Sequence, residues 1–146
     1  MKPVHQVFVY GTLKCGFPID ITILGEVFFK GYYRAVEAYP LVIGGRWFSP
    51  YLIAEPGQGL RVRGEVYEVD ETCLAMLDCL EGTQVINGYH RIRLKVTEEN
   101  VVGYRSLKAW TYVKERKSIK GIHSEPMVEY SVDPRYVVPA NREEKS

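Results

Sequence analysis

The sequence predicts an α+β fold in which a β-sheet closes into a small barrel. Two observations lead to this fold class. Between five and seven segments have the composition or the two-residue alternation of β-strands, and only one segment has clear helical periodicity. The 146 residues match the size of one domain and suffice for a hydrophobic core, so we expect residues 1–146 to form a single domain.

The first half of the chain is predicted to consist mainly of strands separated by turns. Residues 4–10 are rich in valine and aromatic side chains and end at Gly11, which predicts the first strand. Residues 18–29 are ambiguous and leave room for a short helix. Residues 32–43 are apolar and aromatic around Pro40, which predicts a strand, a kink and a second short strand.

Two more strands precede the helix. Residues 51–54 lie between two turn-forming segments, Ser-Pro and Pro-Gly-Gln-Gly, and are predicted to form a short strand. Residues 61–69 alternate between small or apolar side chains and charged ones, which predicts a longer strand with one face toward solvent. Glu65 is expected on that solvent-exposed face.

The helix is predicted over residues 71–81. Asp70 is a residue type that caps helix N-termini, and Gly82 is a residue type at which helices stop. Between them, apolar residues recur with helical spacing, so we expect one face of the helix to be buried. This apolar stripe consists of Cys73, Leu74, Met76, Leu77 and Leu80.

The last third of the chain contains two predicted strands and then fewer periodic signals. Residues 89–97 alternate between apolar and basic side chains, and residues 107–113 are rich in strand formers. The basic run at residues 114–117 contains its own glutamate and is expected to be a solvated loop. Residues 141–146 are expected to form a frayed tail.

The composition excludes several classes of protein. With 46% hydrophobic residues, 25% charged residues and a net charge of +1, the chain has no broad positive field for nucleic acid or acidic membranes. No apolar stretch approaches the ~20 residues of a membrane span, and the N-terminus does not have the pattern of a secretory signal. Three cysteines without metal-ligand spacing and three scattered histidines favour a cytoplasmic protein with no metal site.

The first candidate functional residue is Glu81, in the last turn of the predicted helix. It follows Leu77 by four residues and Leu74 by seven, which places its carboxyl group on the buried face. Burial and the negative end of the helix dipole both raise the pKa of a carboxyl group, so Glu81 is suited to acid/base chemistry near neutral pH. Two alternatives are that Glu81 points to water, or that Asp78 is the acid/base instead.

The second candidate site is the turn after the first strand, which we call the Tyr10–Leu13 loop. A strand that ends at a glycine leaves successive backbone N–H groups exposed, and such groups bind anions. The alternative is an ordinary turn. Cys15, just after the loop, is a possible nucleophile, although a lone cysteine more often only packs.

The two sites together resemble the gamma-glutamyl cyclotransferase-like superfamily. The resemblance rests on "VYGTLK" at the end of the first strand, "LDCLEG" at the end of the helix and "GYHRIRLKV" soon after it. The segments "YPLVI", "GEVYEVDE" and "PANRE" are similar to its gamma-glutamylamine cyclotransferase branch. The resemblance extends over residues 7–113 and, more loosely, over the tail.

This resemblance implies a small mixed β-barrel with flanking helices and an intramolecular cyclotransferase activity, with no cofactor and no metal. Such an enzyme releases 5-oxoproline and a free amine from γ-glutamylamines such as γ-glutamyl-ε-lysine. By the same resemblance, Glu81 is the general acid/base and Tyr89 lines the pocket or contacts the substrate. The loop that binds the α-amino and α-carboxylate end of the γ-glutamyl group corresponds to Tyr10, Gly11, Thr12 and Leu13.

The sequence departs from the branch just after this loop. Cys15, Phe17, Pro18 and Ile19 stand where the branch has an arginine and a polar segment, which predicts a more apolar pocket rim. The identity of the leaving-group half of the substrate is therefore not determined by the resemblance. Two alternatives also stay open: another γ-glutamyl compound as substrate, and a non-catalytic module that binds a small carboxylate or a partner.

Overall fold

In the computed structural model of the chain, the structure describes residues 3–14, 16, 20–99 and 105–142. These residues form seven β-strands, one α-helix and three short 3-10 helices. The strands are β1 (Val4–Val9), β2 (Val27–Ala35), β3 (Leu41–Gly44), β4 (Ser49–Leu52), β5 (Arg63–Asp70), β6 (His90–Glu98) and β7 (Ser106–Val113). The helix α1 spans Glu71–Glu81, and the 3-10 helices span Ile21–Leu24, Arg116–Ser118 and Pro139–Asn141.

Five of the strands form a small barrel, in the order β1–β5–β2–β6–β7. Neighbouring strands in this order are antiparallel, and the barrel closes where β1 meets β7 in parallel at Val7 and Trp110. The sheet is therefore mixed. The predicted α+β fold with a small mixed β-barrel is confirmed.

The barrel seam between β1 and β7 is reinforced by side chains. The buried Thr111 hydroxyl donates a 2.8 Å hydrogen bond to the carbonyl of Phe8. The phenol of Tyr10, just beyond β1, donates a 2.6 Å hydrogen bond to the carbonyl of Tyr112. The end of β1 and the end of β7 are thus held together, and the loops that follow both strands emerge at the same end of the barrel.

The strand predictions are right in number but differ at several boundaries. β2 begins at Val27 rather than at residue 32, because the pairing with β5 shifts register between Phe29 and Gly31. This bulge breaks the alternation by which a strand is recognised. The preceding ambiguous segment contains the 3-10 helix Ile21–Leu24.

The β3–β4 hairpin lies outside the barrel sheet as a separate pair of strands. β4 begins at Ser49 rather than at residue 51, so Pro50 lies inside the strand, opposite Ile43. Proline is tolerated there because β4 is an edge strand of a two-stranded sheet. The residue after β4, Ile53, bridges to Lys114 after β7, which brings the hairpin to the barrel end.

The helix α1 has the predicted boundaries. The Asp70 carboxylate accepts a 2.8 Å hydrogen bond from the backbone N–H of Cys73, and Gly82 ends the helix in the left-handed conformation with φ of 70°. Leu77 is fully buried, as predicted, but Met76 and Leu80 are 44% and 50% exposed. The buried stripe is narrower than expected because α1 contacts the barrel along a single line of residues.

The core lies on both sides of the barrel wall. Inside the barrel, Phe8, Val66 and Val96 belong to one buried cluster. On the outside, Val69 and Leu77 belong to a second cluster that packs α1 against the sheet.

The outer face of β5 is therefore covered rather than solvated. Glu65, expected on a solvent-exposed face, is buried, and the hydroxyl of Tyr67 donates a 3.0 Å hydrogen bond to its carboxylate. That expectation was wrong because α1 and the loop after β1 cover this side of the strand. Among the described residues, no helix has the length and apolar character required to cross a membrane.

Candidate active site

A cavity of about 340 Å³ opens at the end of the barrel where β1 and β7 end. This volume lies within the range of small-molecule pockets in proteins. Every residue that the sequence assigns to the site lines this cavity. They are Tyr10, Gly11, Thr12, Leu13, Glu81 and Tyr89.

Glu81 is the last residue of α1, and its side chain reaches the cavity from the C-terminal end of the helix. The buried residues Leu77 and Leu74, one and two turns earlier, fix the rotation of the helix that turns Glu81 inward. Burial raises the pKa of Glu81 to about 7, and the positive charge of Lys114 acts in the opposite direction. No described residue donates a hydrogen bond to the Glu81 carboxyl group, so its proton is available to a ligand.

The Tyr10–Leu13 loop forms the wall that follows β1. The carbonyl groups of Gly11, Thr12 and Leu13 all accept backbone hydrogen bonds. Their N–H groups have no acceptor anywhere in the described part of the chain. These three N–H groups, which we call the amide cradle, are free to bind an anion.

The loop packs closely against β4 at Gly11. A Cβ atom at Gly11 would lie 2.8 Å from Cγ of Pro50, so only glycine allows the loop to pack against β4. Leu13 lines the cavity, and it belongs to the buried cluster on the outside of the barrel. Leu13 therefore offers a ligand its backbone rather than a functional side chain.

Asp78, the alternative acid/base, has a structural role. Its carboxylate accepts a 2.7 Å hydrogen bond from the hydroxyl of Tyr112 and forms a 3.0 Å ion pair with Arg91. It does not line the cavity, whereas Tyr112 does. Asp78 thus ties α1 to β6 and β7 and holds the ring of Tyr112 in the cavity wall.

Tyr89 forms the wall beside Glu81. Its backbone N–H donates a 3.3 Å hydrogen bond to the carbonyl of Glu81, and its hydroxyl donates a 3.2 Å hydrogen bond to the carbonyl of Pro50. Its ring stacks on that of Tyr51, with centroids 5.8 Å apart and planes 18° apart. Burial raises the pKa of Tyr89 well above its ordinary value, so the phenol stays protonated.

Lys114 is a site residue that the sequence interpretation missed. It was expected in a solvated loop, but its ammonium group lines the cavity and lies 5.1 Å from the ring centroid of Tyr51 and 5.3 Å from that of Tyr89. Arg116 of the same run does face solvent, paired with Glu55. Lys114 follows Tyr112 by two residues, so the strand alternation, continued past β7, would have placed both on the same face.

Arg142 is the second missed residue, and it comes from the far end of the chain. Residues 133–142, which we call the tail segment, run past the cavity mouth. The segment is anchored by a 3.1 Å hydrogen bond from the N–H of Val137 to the carbonyl of Trp47. Tyr136, Pro139 and Arg142 all line the cavity. The only signal in the sequence was the "PANRE" similarity, because tail residues show no periodicity.

The structure adds little to two other predictions, the nucleophile Cys15 with its apolar rim and the presence or absence of a metal site. Cys15 lies outside the described residues, as do Phe17, Pro18 and Ile19, so the apolar rim stays a prediction. Within residues 3–14, 16, 20–99 and 105–142, no cluster of three or more histidine, cysteine or acidic side chains is arranged to hold a metal ion.

Comparisons with known proteins agree with one another. Residues 7–132 match the profile of the family described as gamma-glutamyl cyclotransferase, AIG2-like. A gamma-glutamylaminecyclotransferase of Bos taurus is 48% identical over 101 residues, which are 66% of this chain and 59% of the relative. A gamma-glutamylaminecyclotransferase of Homo sapiens is 38% identical over 112 residues, which are 74% of this chain and 73% of the relative.

The fold has a close counterpart among solved structures. The crystal structure of an AIG2-like protein from Mus musculus superposes with a TM-score of 0.76 at 31% sequence identity. The superposition covers 95% of this chain and 99% of the mouse chain. The similarity therefore extends over nearly the whole length of both chains.

Proposed function

Because the chain belongs to the gamma-glutamyl cyclotransferase, AIG2-like family, we propose that it releases 5-oxoproline and a free amine from γ-glutamylamines such as γ-glutamyl-ε-lysine. The observation that carries the proposal is the position of Glu81. A carboxyl group with a pKa of about 7 lines the same cavity as the three N–H groups of the amide cradle. A group with this pKa both accepts and returns a proton near neutral pH.

In the first step, Glu81 accepts a proton from the α-ammonium group of the substrate. The free amine then attacks the γ-carbonyl carbon of the same molecule, and a five-membered lactam begins to form. The new C–N bond closes the ring, and Glu81 returns its proton to the leaving nitrogen as the bond to that nitrogen breaks. The attacking nitrogen still carries one proton more than the lactam, and Glu81 accepts this proton and passes it to the released amine, which departs as an ammonium ion. Atoms and charges balance without any further reactant.

The cavity walls supply what an intramolecular reaction needs most, which is a folded substrate. Correct placement of two reacting groups lowers a barrier by about 7–11 kcal/mol at best. The tyrosine rings of the wall restrict the substrate, and the amide cradle is suited to the α-carboxylate or to the oxyanion that develops on the γ-carbonyl. Tyr89 contacts the substrate beside Glu81.

The direct test is release of 5-oxoproline from a panel of γ-glutamyl compounds by the wild-type protein and by Glu81→Gln. This substitution keeps the size of the side chain and removes its proton chemistry. We expect the variant to lose turnover by two orders of magnitude or more, in line with the loss of a general acid/base. Binding of 5-oxoproline and the folded structure should be retained.

Two further variants separate the alternatives. Glu37→Gln changes an exposed glutamate far from the cavity and serves as the matched control. Asp78→Asn is expected to lower stability, because it weakens the contacts with Tyr112 and Arg91, yet to remain an active enzyme. Full activity of Glu81→Gln together with an inactive, folded Asp78→Asn would move the acid/base role to Asp78. Binding without turnover in the wild-type protein would favour a non-catalytic module.

A further inference from the structure

Arg142 has a fixed position at the cavity. Its Nε donates a 2.9 Å hydrogen bond to the carbonyl of Val137, and one terminal nitrogen donates a 3.3 Å bond to the hydroxyl of Ser49. The guanidinium carbon lies 5.6 Å from the ring centroid of Tyr136 and 5.8 Å from that of Trp47. The other terminal nitrogen makes no hydrogen bond within the described residues, and because Arg142 lines the cavity, the N–H groups of this nitrogen are available to a ligand there.

The guanidinium group has no acidic partner in the described part of the chain. Arg135 of the same tail segment pairs with Asp133 at 3.0 Å, and Arg91 and Arg116 pair with carboxylates as well. A half-buried charge without a counterion is unfavourable unless a ligand supplies one. Guanidinium groups match carboxylates in particular, because two parallel N–H···O bonds form at once.

Glu81 is not that counterion. The positive charge that acts on the pKa of Glu81 is that of Lys114. Burial raises the pKa values of Tyr51 and Tyr136, and the charge of Arg142 opposes this effect at both residues. The charge of Arg142 also opposes the effect of burial on the pKa of Tyr89. The cavity thus has two cations, of which Lys114 acts on Glu81 and Arg142 acts on the tyrosines of the wall.

We propose that Arg142 binds a carboxylate carried by the leaving amine. This inference rests on the proposed function, and of the two roles open to the amide cradle it takes the binding of the α-carboxylate of the γ-glutamyl group. The group that then lies at the mouth of the cavity is the amine half of the substrate. Arg142 therefore makes the site selective for γ-glutamylamines whose amine is an amino acid over those whose amine lacks a carboxylate.

Two substrates that differ only in this carboxylate test the proposal: γ-glutamyl-ε-lysine and mono-γ-glutamyl-cadaverine. We expect the wild-type protein to prefer the lysine compound in kcat/KM. In Arg142→Gln this preference should fall by about tenfold or more, the size expected for hydrogen bonds to a charged group. Arg142→Lys, which keeps the charge but not the planar fork, should restore part of the preference.

Arg135→Gln is the matched control, since it removes an arginine of the same segment that points away from the cavity. It should leave the ratio of the two kcat/KM values unchanged. A third substrate, with the α-carboxylate of the γ-glutamyl group converted to an amide, tests the other end. Wild-type protein and Arg142→Gln should discriminate against this compound equally.

Three results would overturn the inference. Equal losses of kcat/KM on both amines in a folded Arg142→Gln protein would mean that Arg142 only fastens the tail segment. Loss of discrimination against the α-amide would mean that Arg142 binds the γ-glutamyl end. Turnover of neither amine by the wild-type protein would instead remove the proposed function, and this inference with it.

Discussion

At the scale of single residues, the chemistry depends on how Glu81 is surrounded. The side chain belongs to a helix end, where water normally solvates a carboxylate, but the walls of the cavity replace that water. Burial alone would raise the pKa further than about 7, because the charge of Lys114 works against it. In the proposed mechanism, Glu81 and Lys114 therefore set the working pH of the site together.

This pairing predicts the pH dependence of activity. Below about pH 7, Glu81 is protonated in the free enzyme and cannot accept the proton of the substrate, so kcat/KM should fall as the pH is lowered. Lys114→Met removes the charge that lowers the pKa of Glu81, so the fall of kcat/KM on the acidic side of the pH profile should move to higher pH. The measurement is a pH profile of kcat/KM, with Lys117→Met, an exposed lysine of the same run, as control. An unmoved acidic side of the profile in Lys114→Met would contradict the pairing.

The same pKa predicts how stability depends on pH. The pKa of Glu81 is about 7 in the folded state and 4.5 ordinarily, so the folded protein binds the proton more tightly than the unfolded chain. The stability that this proton confers is complete below pH 4.5 and is lost as the pH rises through 7. Glu81→Gln carries no such proton, so it should gain stability relative to the wild type over this interval, by no more than about 3 kcal/mol. Urea unfolding at pH 5 and pH 8 measures the difference, and the same difference at both values would contradict it.

At the scale of elements, α1 shows how far local sequence signals extend. Asp70, Leu77 and Gly82 define where the helix begins, which side it buries and where it ends, and each acts through its own neighbours in the sequence. These signals were sufficient to predict the helix and the inward position of Glu81. Met76 and Leu80 were misassigned because the width of a buried face depends on the partner surface, and helical spacing does not report that width.

The N-cap of α1 offers a test at this scale. Asp70→Ala removes the 2.8 Å hydrogen bond to the N–H of Cys73 and should lower the free energy of unfolding by about 1 kcal/mol. Chemical denaturation measures this loss. Glu37→Ala, which removes an exposed carboxylate outside α1, gives the comparison for a change of charge alone. A loss as large in Glu37→Ala would mean that the capping bond contributes nothing specific.

At the scale of the whole molecule, the cavity is assembled from distant parts of the chain. The Tyr10–Leu13 loop, Glu81, Lys114 and Arg142 meet only because the barrel closes at the β1–β7 seam and the tail segment passes over its end. Motifs with local signals, such as the glycine loop and the helix end, could be predicted. Lys114 and Arg142 were missed. Alternation past β7 would have placed Lys114 on the same face as Tyr112, but that this face lines the cavity follows from closure of the sheet, and the position of Arg142 follows from the tail path.

The seam itself can be tested through Thr111. Thr111→Val keeps the shape of the side chain and removes its hydroxyl. The buried carbonyl of Phe8 then loses the hydrogen bond that this hydroxyl donates. We expect a loss of about 1–3 kcal/mol in the free energy of unfolding. Hydrogen exchange should show the extra opening at β1 and β7 first. Thr83→Val, a partly buried threonine in the loop after α1, is the control, and an equal loss there would contradict a special role of the seam.

The path of the tail segment has a practical consequence for anyone who prepares this protein. Because Tyr136, Pro139 and Arg142 line the cavity, a preparation that is trimmed within residues 133–142, by design or by proteolysis, lacks part of the cavity wall. Intact mass should therefore be checked before activities of different batches are compared. A weakly active batch would otherwise be attributed to the barrel when the missing wall is the cause.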